Sequence, residues 1–195
     1  MPKCWSILRI GKEVLGFPAL AIRDTYDNRF ITQEFNGWRM RVGRFTADGE
    51  DRIGRFEQNE VIDVTPAFES FAEALAQTDA VAEYDGESYG LDEISYLPPT
   101  TSGNSVFCAA LNYQKHAEES GRSVPERPYL FLKLTRSLVG QHESISYHNT
   151  VTSEIDYEGE LACVIGSPCR HVSTEEALEY VAGYTILNDV SARDL

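Results

Sequence analysis

Two glutamates one residue apart, Glu158 and Glu160 with Gly159 between them, are the strongest chemical signal in this 195-residue chain. In a strand, side chains i and i+2 share a face, so the pair presents two carboxylates side by side. Carboxylates that close repel unless a cation or a proton lies between them. An all-oxygen ligand set favours a hard cation, Mg²⁺ or Mn²⁺ with Ca²⁺ as a further option, over zinc. Asp189, at the end of a strand predicted one helix later, is a candidate for a third oxygen ligand. The same Glu-x-Glu pattern also fits a solvated strand face, although the apolar run Leu161–Ile165 sends this strand into a core.

A second signal is Asn112-Tyr113-x-x-His116-x-x-Glu119. Residues three apart on a helix can touch, and a carboxylate beside an imidazole fixes its tautomer and raises its basicity. His116 with Glu119 is therefore a candidate general base able to take a proton from water. An exposed helix face with a chance pair is the alternative. The third signal is Asp189-x-x-x-Arg193. The arginine fork can grip a substrate carboxylate, or the spacing can be an ion pair at a helix start. Lys133 stands alone in an apolar strand, where it can hold an anionic oxygen or snorkel to the surface. The sequence holds no Walker loop, no GxGxxG and no GxSxG.

These residues need elements to position them. Met40–Phe45, Arg52–Glu57 and Val61–Val64 read as an antiparallel meander with turns at Asp48-Gly49 and Gln58-Asn59. Thr65 and Pro66 predict a helix start, with Phe68, Phe71, Ala72 and Leu75 on one buried stripe. Val106–Leu111 and Tyr129–Leu134 read as strands. Tyr113–Ser120 reads as a short helix stopped by Gly121. Glu158–Ile165 reads as a strand. A Ser173-x-x-Glu176 capping box then predicts a helix through Tyr180 that ends at Gly183, before a strand at Tyr184–Leu187.

Composition narrows the class. The chain is 42% hydrophobic, enough for a core, and its formal charge is −14. Such an acidic protein is a poor match for nucleic acid or an anionic membrane surface. No apolar run reaches the ~18 residues of a membrane-spanning helix. Four cysteines without a CxxC pair suit a reducing cytoplasm. Charge is concentrated in 46–93, which hold 2 basic and 14 acidic residues. Together with the run Pro98-Pro99-Thr100-Thr101-Ser102-Gly103, this divides the chain into four parts. They are an unassigned extension (1–39), a small β-rich domain (40–97), a linker (98–105) and a second domain (106–195).

The order of the motifs is more specific than any one of them. "ALNYQKHAEE", "PYLFLKL", "IDYEGELACVIG" and "EEALEYVAGYTILNDVSARDL" together strongly resemble the fumarylacetoacetate hydrolase family over about 103–195. "MRVGRF…DRIGRFEQNEVIDVT" is more weakly similar to that family's β-rich N-terminal domain. The resemblance implies an α+β, mostly β fold with a mixed β-roll catalytic domain, here incomplete because the sequence stops after the SARD motif. It implies Glu158, Glu160 and Asp189 as ligands of Mg²⁺ or Mn²⁺, His116 and Glu119 as the water-activating dyad, and Lys133 and Arg193 as substrate contacts. It further implies a small keto-acid substrate and a homodimer for the complete protein. The expected reaction is C–C cleavage of an acylpyruvate or related β-diketo acid. Isomerisation or decarboxylation of a hydroxymuconate-type diacid or oxaloacetate is the alternative, as is an inactive fragment that serves only as an interaction module. Lys133-Leu134 stands where the family has Lys-Pro. Ala109, Ala110 and Leu111 occupy the stretch where some members place an extra metal-binding Asp, so a three-carboxylate site is expected.

Overall fold

The computed structural model describes residues 31–35, 38–100, 103–119 and 121–195. Most of the expected 1–39 extension and the middle of the 98–105 segment lie outside these. The fold is mostly β with short helices, as the motif order implies. A sheet is built from β1 (Ile31–Phe35), β2 (Trp38–Ala47), β3 (Glu50–Phe56) and β4 (Glu60–Asp63), with two helices after them, α1 (Phe71–Ala76) and α2 (Thr78–Glu83). It continues through β5 (Ser88–Gly90) and β6 (Ser95–Leu97). Next come β7 (Val106–Ala110), α3 (Gln114–Glu119), β8 (Tyr129–Lys133) and β9 (Ile155–Asp156). The last elements are β10 (Gly159–Ile165), β11 (Val181–Asn188) and β12 (Ser191–Ala192).

The main sheet runs β10-β11-β1-β2-β3-β4-β5, with β6 added on β2. The expected meander is present: Asp48 and Gly49 take positive φ, as a tight hairpin requires, and pair Ala47 with Glu50. Alternation places Val42 and Ile53 on one face with Phe68, Phe71, Leu75 and Val81. Phe45, Phe56, Val61 and Tyr96 fill the other. Gly54 is required there, because a Cβ would lie 2.2 Å from Val61 Cγ2 and 2.8 Å from Phe45 Cε1. Ala182 of β11 joins the first cluster, so the C-terminal strands share a core with the N-terminal meander.

Two helical expectations are corrected. Thr65 does not cap a long helix. Its Oγ1 accepts the Ile53 N–H at 2.8 Å, and only a 3₁₀ turn, Thr65–Ala67, forms. The α-helix starts later, where Ser70 Oγ accepts the Glu73 N–H at 3.1 Å and the Glu73 carboxylate accepts the Glu69 N–H at 2.7 Å. That shift in phase buries Ala74 in place of Ala72. The Ser173–Glu176 box does make its hydrogen bonds. It opens only a 3₁₀ turn, Ala177–Tyr180, because β11 already begins at Val181 opposite Ile165. Gly183 therefore lies inside a strand, paired with Val164, and ends no helix.

β7 and β8 form a separate antiparallel pair, and β9 pairs with β12. Phe107, Leu130, Phe131 and Leu132 of the β7–β8 pair are exposed. No helix among the described residues is long and apolar enough to cross a membrane.

Candidate active site

β10 and β11 are antiparallel neighbours, with Gly159 opposite Asn188 and Glu160 opposite Leu187. This ladder replaces the expected strand–helix–strand unit. Its consequence for the site is direct, because the start of β10 must lie beside the end of β11. The Asp189 N–H donates to the Glu158 carbonyl at 2.7 Å, and the Glu158 N–H donates to Asn188 Oδ1 at 3.1 Å. Glu158 precedes β10 rather than lying in it. All three predicted carboxylates, Glu158, Glu160 and Asp189, nevertheless line one pocket of about 210 Å³.

The opposite chain of that pocket comes from the end of β7. Leu111 takes φ 54°, in the left-handed region, and turns the chain out of the strand. The following Asn112 and Tyr113 enter the pocket lining. Tyr113 Oη accepts the Leu161 N–H at 3.2 Å, on the open edge of β10. Asn112 and Tyr113 both hydrogen-bond the Glu160 carboxylate. Burial holds that carboxyl above the usual glutamate range. The two hydrogen bonds pull it down, and the charges of Glu158 and Asp189 add to the rise. Asn112 and Tyr113 belong to the motif that carries His116, yet sequence reasoning gave them no role. Their position directly after an apolar strand and before a helix was the available signal.

The cations sit on the carboxylates. Lys133, at the end of β8, forms an ion pair with Asp189 Oδ1. Asp189 is 5% exposed, and Oδ1 accepts no hydrogen bond of ordinary geometry. Lys133 thus holds an anionic oxygen, one belonging to the chain itself. Arg193 does not reach Asp189. Its Nε donates to Asp156 Oδ2 at 2.9 Å, and Nη2 pairs with both Asp156 and Glu158. These hydrogen bonds, that of Glu158 first, hold the Arg193 guanidinium still more firmly protonated. Arg193 is fixed by its backbone as well, its N–H donating to the Glu154 carbonyl at 2.8 Å. Asp194 anchors the same turn, accepting from the Thr152 hydroxyl and from the Ser153 N–H.

Among the described residues no group of three or more His, Cys, Asp or Glu is drawn together closely enough to hold a metal ion. The donor chemistry still fits a hard divalent cation. Three carboxylates line one pocket, one is desolvated, and Asp189 is held buried by the Lys133 charge that a cation would replace. α3 forms as the spacing predicts, and Gly121 at φ 67° ends it. Glu119 is exposed at its last position and does not line the pocket. The side chain of His116, on the same helix, lies outside the described residues. Cys108 lines the pocket, whereas Cys163 does not; burial pushes the Cys163 thiol up.

Residues 105–195 match the family model described as Fumarylacetoacetate (FAA) hydrolase C-terminal. An oxaloacetate tautomerase of Bacillus subtilis is 41% identical over 110 residues, 55% of this chain and 36% of that protein. A fumarylacetoacetate hydrolase structure from psychrophilic Exiguobacterium antarcticum aligns with TM-score 0.62 and 34% identity, covering 80% of this chain and 57% of that one. A 5-carboxymethyl-2-hydroxymuconate delta-isomerase structure from Mycobacterium smegmatis aligns with TM-score 0.60 and 31% identity, covering 80% and 56%. The chain spans about half the length of the first curated relatives it matches.

Proposed function

We propose, given that residues 105–195 belong to the fumarylacetoacetate hydrolase family, that this chain carries the acidic half of a divalent-metal site that cleaves a C–C bond in an acylpyruvate or related β-diketo acid. The observation that carries the reading is the convergence of Glu158, Glu160 and Asp189 on one pocket. These three residues would hold Mg²⁺ or Mn²⁺. The chemistry such a cation supplies is Lewis-acid polarisation of a keto oxygen.

The chain's own groups do the rest. Asn112 and Tyr113 orient the Glu160 carboxylate. Uptake of a cation requires Lys133 and Arg193 to release Asp189 and Glu158, which frees both heads for substrate oxygens. His116 would take a proton from water, a contribution of ~10²–10⁴ in rate, with Glu119, exposed and off the pocket lining, acting only through the imidazole three residues before it on α3.

The test is calorimetric titration of Mn²⁺ into the wild type and a Glu158→Ala/Glu160→Ala double variant. One-site binding that the double variant loses is the expected result. No binding to folded wild type would remove the metal reading for this chain.

The identities to an oxaloacetate tautomerase and to a delta-isomerase favour a second reading, enol–keto isomerisation or decarboxylation on the same pocket. These reactions need no attacking water. His116→Ala should abolish hydrolysis of acylpyruvates, and hydrolysis surviving at the wild-type rate would sink the dyad.

A further inference from the structure

The pocket holds a cation that the chain has not already neutralised. Arg193 is engaged by Asp156 and Glu158, and Lys133 by Asp189. Arg122 also lines the pocket, and it is exposed. Among the described residues its guanidinium makes no ion pair and no hydrogen bond. Its backbone, by contrast, is fixed. The Gly121 N–H donates to the Glu118 carbonyl at 3.0 Å and the Arg122 N–H to the Ala117 carbonyl at 2.7 Å. With Gly121 at φ 67°, this is a helix C-terminus that sets where Arg122 leaves α3.

Arg122 is therefore a charged head on an anchored stem, open toward a pocket whose other lining cation, Arg193, already has partners. Guanidinium stays charged at all working pH values and matches a carboxylate fork to fork. In the metal-free pocket an anion at Lys133 or Arg193 must break an existing pair, and on the proposed metal reading their released heads meet the keto-acid end. Engaging Arg122 breaks none. The pocket, about 210 Å³, is smaller than the ~300–1,000 Å³ of sites for drug-sized ligands, so it suits a compact acid.

We infer that Arg122 docks the second carboxylate of a dicarboxylic keto acid and selects diacids over monoacids. The inference rests on the proposed reading for the keto-acid end of the ligand, and it adds the residue that recognises the other end.

A matched pair of stable probes tests it: 2-oxoglutarate and 2-oxovalerate, equal in carbon number and different only in the second carboxylate. Both are titrated calorimetrically into Mn²⁺-loaded wild type, Arg122→Met and Arg122→Lys. Wild type should prefer 2-oxoglutarate. Arg122→Met should lose about 10- to 100-fold in affinity for it, the scale of a hydrogen-bonded charge contact, and none for 2-oxovalerate. Arg122→Lys should recover part of the loss. Equal losses for both acids, no loss for either, or no binding of either acid to wild type overturns the assignment. Mn²⁺ affinity is read in the same samples and should be the same in all three proteins. If wild type takes up no Mn²⁺, the metal reading fails. The same titrations without Mn²⁺ then decide the Arg122 assignment by the same difference.

Discussion

Lys133 at the end of β8 and Asp189, the residue after β11, form an ion pair beside the pocket that Asp189 lines, with Asp189 almost fully buried and Lys133 about a quarter exposed. The pair ties the β7–β8 ribbon to the main sheet. Lys133→Met leaves a buried carboxylate without its counter-charge. Breaking one partner of a buried pair costs about 3–5 kcal/mol, and the partial exposure of Lys133 places this case near the lower figure. Urea denaturation should show that loss in Lys133→Met and a substantial recovery in Lys133→Met/Asp189→Asn. A double variant no more stable than the single one would mean that the pair does not act as a unit.

Tyr113 connects two features, the open edge of β10 and the Glu160 carboxylate. Tyr113→Phe removes both hydrogen bonds while keeping the ring. The fold should lose about 1–2 kcal/mol. On the proposed metal reading, loss of a residue that orients a ligand weakens Mn²⁺ binding by about 10- to 100-fold. Calorimetry on the variant checks this, and unchanged Mn²⁺ affinity would remove Tyr113 from any role in orienting Glu160.

Asp194 gives a pH-dependent prediction. The Thr152 hydroxyl, then the Ser153 N–H, hold its carboxyl below the ordinary value of 3.8. A lowered folded value means that the unfolded chain binds the proton more readily. The stabilisation is therefore present above about pH 3.8 and is lost as pH falls through the lowered folded value. Asp194→Asn should be less stable than wild type at pH 6, with the difference closing under acid. A difference that persists unchanged down to pH 2 would assign it to packing rather than charge.

Gly140 is a packing prediction. A Cβ there would lie 1.6 Å from the Tyr96 carbonyl oxygen, on β6. The neighbouring His142 ring meets the Tyr96 ring edge-on at 5.7 Å. Backbone cannot give way as a flexible side chain does, so Gly140→Ala should cost about 3 kcal/mol or more. Thermal unfolding of the variant measures it, and a melting temperature equal to wild type would show that this segment sits away from β6 in solution.

The three carboxylates of the pocket were legible because their spacing is tied to strand periods, whereas Asn112, Tyr113 and Arg122 were not. Glu160 directly precedes the apolar run Leu161–Ile165, and Asp189 and the α3 motif follow apolar runs, so the run ends fix their position. The partners of the cations were not legible. Arg193 pairs with Asp156 and Glu158 because β9 lies against β12, a contact between two-residue strands too short to leave a pattern. Gly183 misled for a related reason. A glycine after a capping box reads as a helix stop, but the Val164–Gly183 pairing makes it a strand residue, a tertiary constraint that local signals do not contain. Strand β1 gave no clear signal either, because Asn36-Gly37 follows it within a stretch of mixed periodicity.

β1 also sets a schedule for synthesis. It lies between β11 and β2, and its Thr32 pairs with Tyr184. On a ribosome adding about 5–20 residues per second, β1 emerges roughly eight to thirty seconds before the strand that covers its second edge. During that interval the nascent meander displays an unpaired row of amides and carbonyls. Early availability of a chaperone should therefore govern the yield of native protein more than the final stability does.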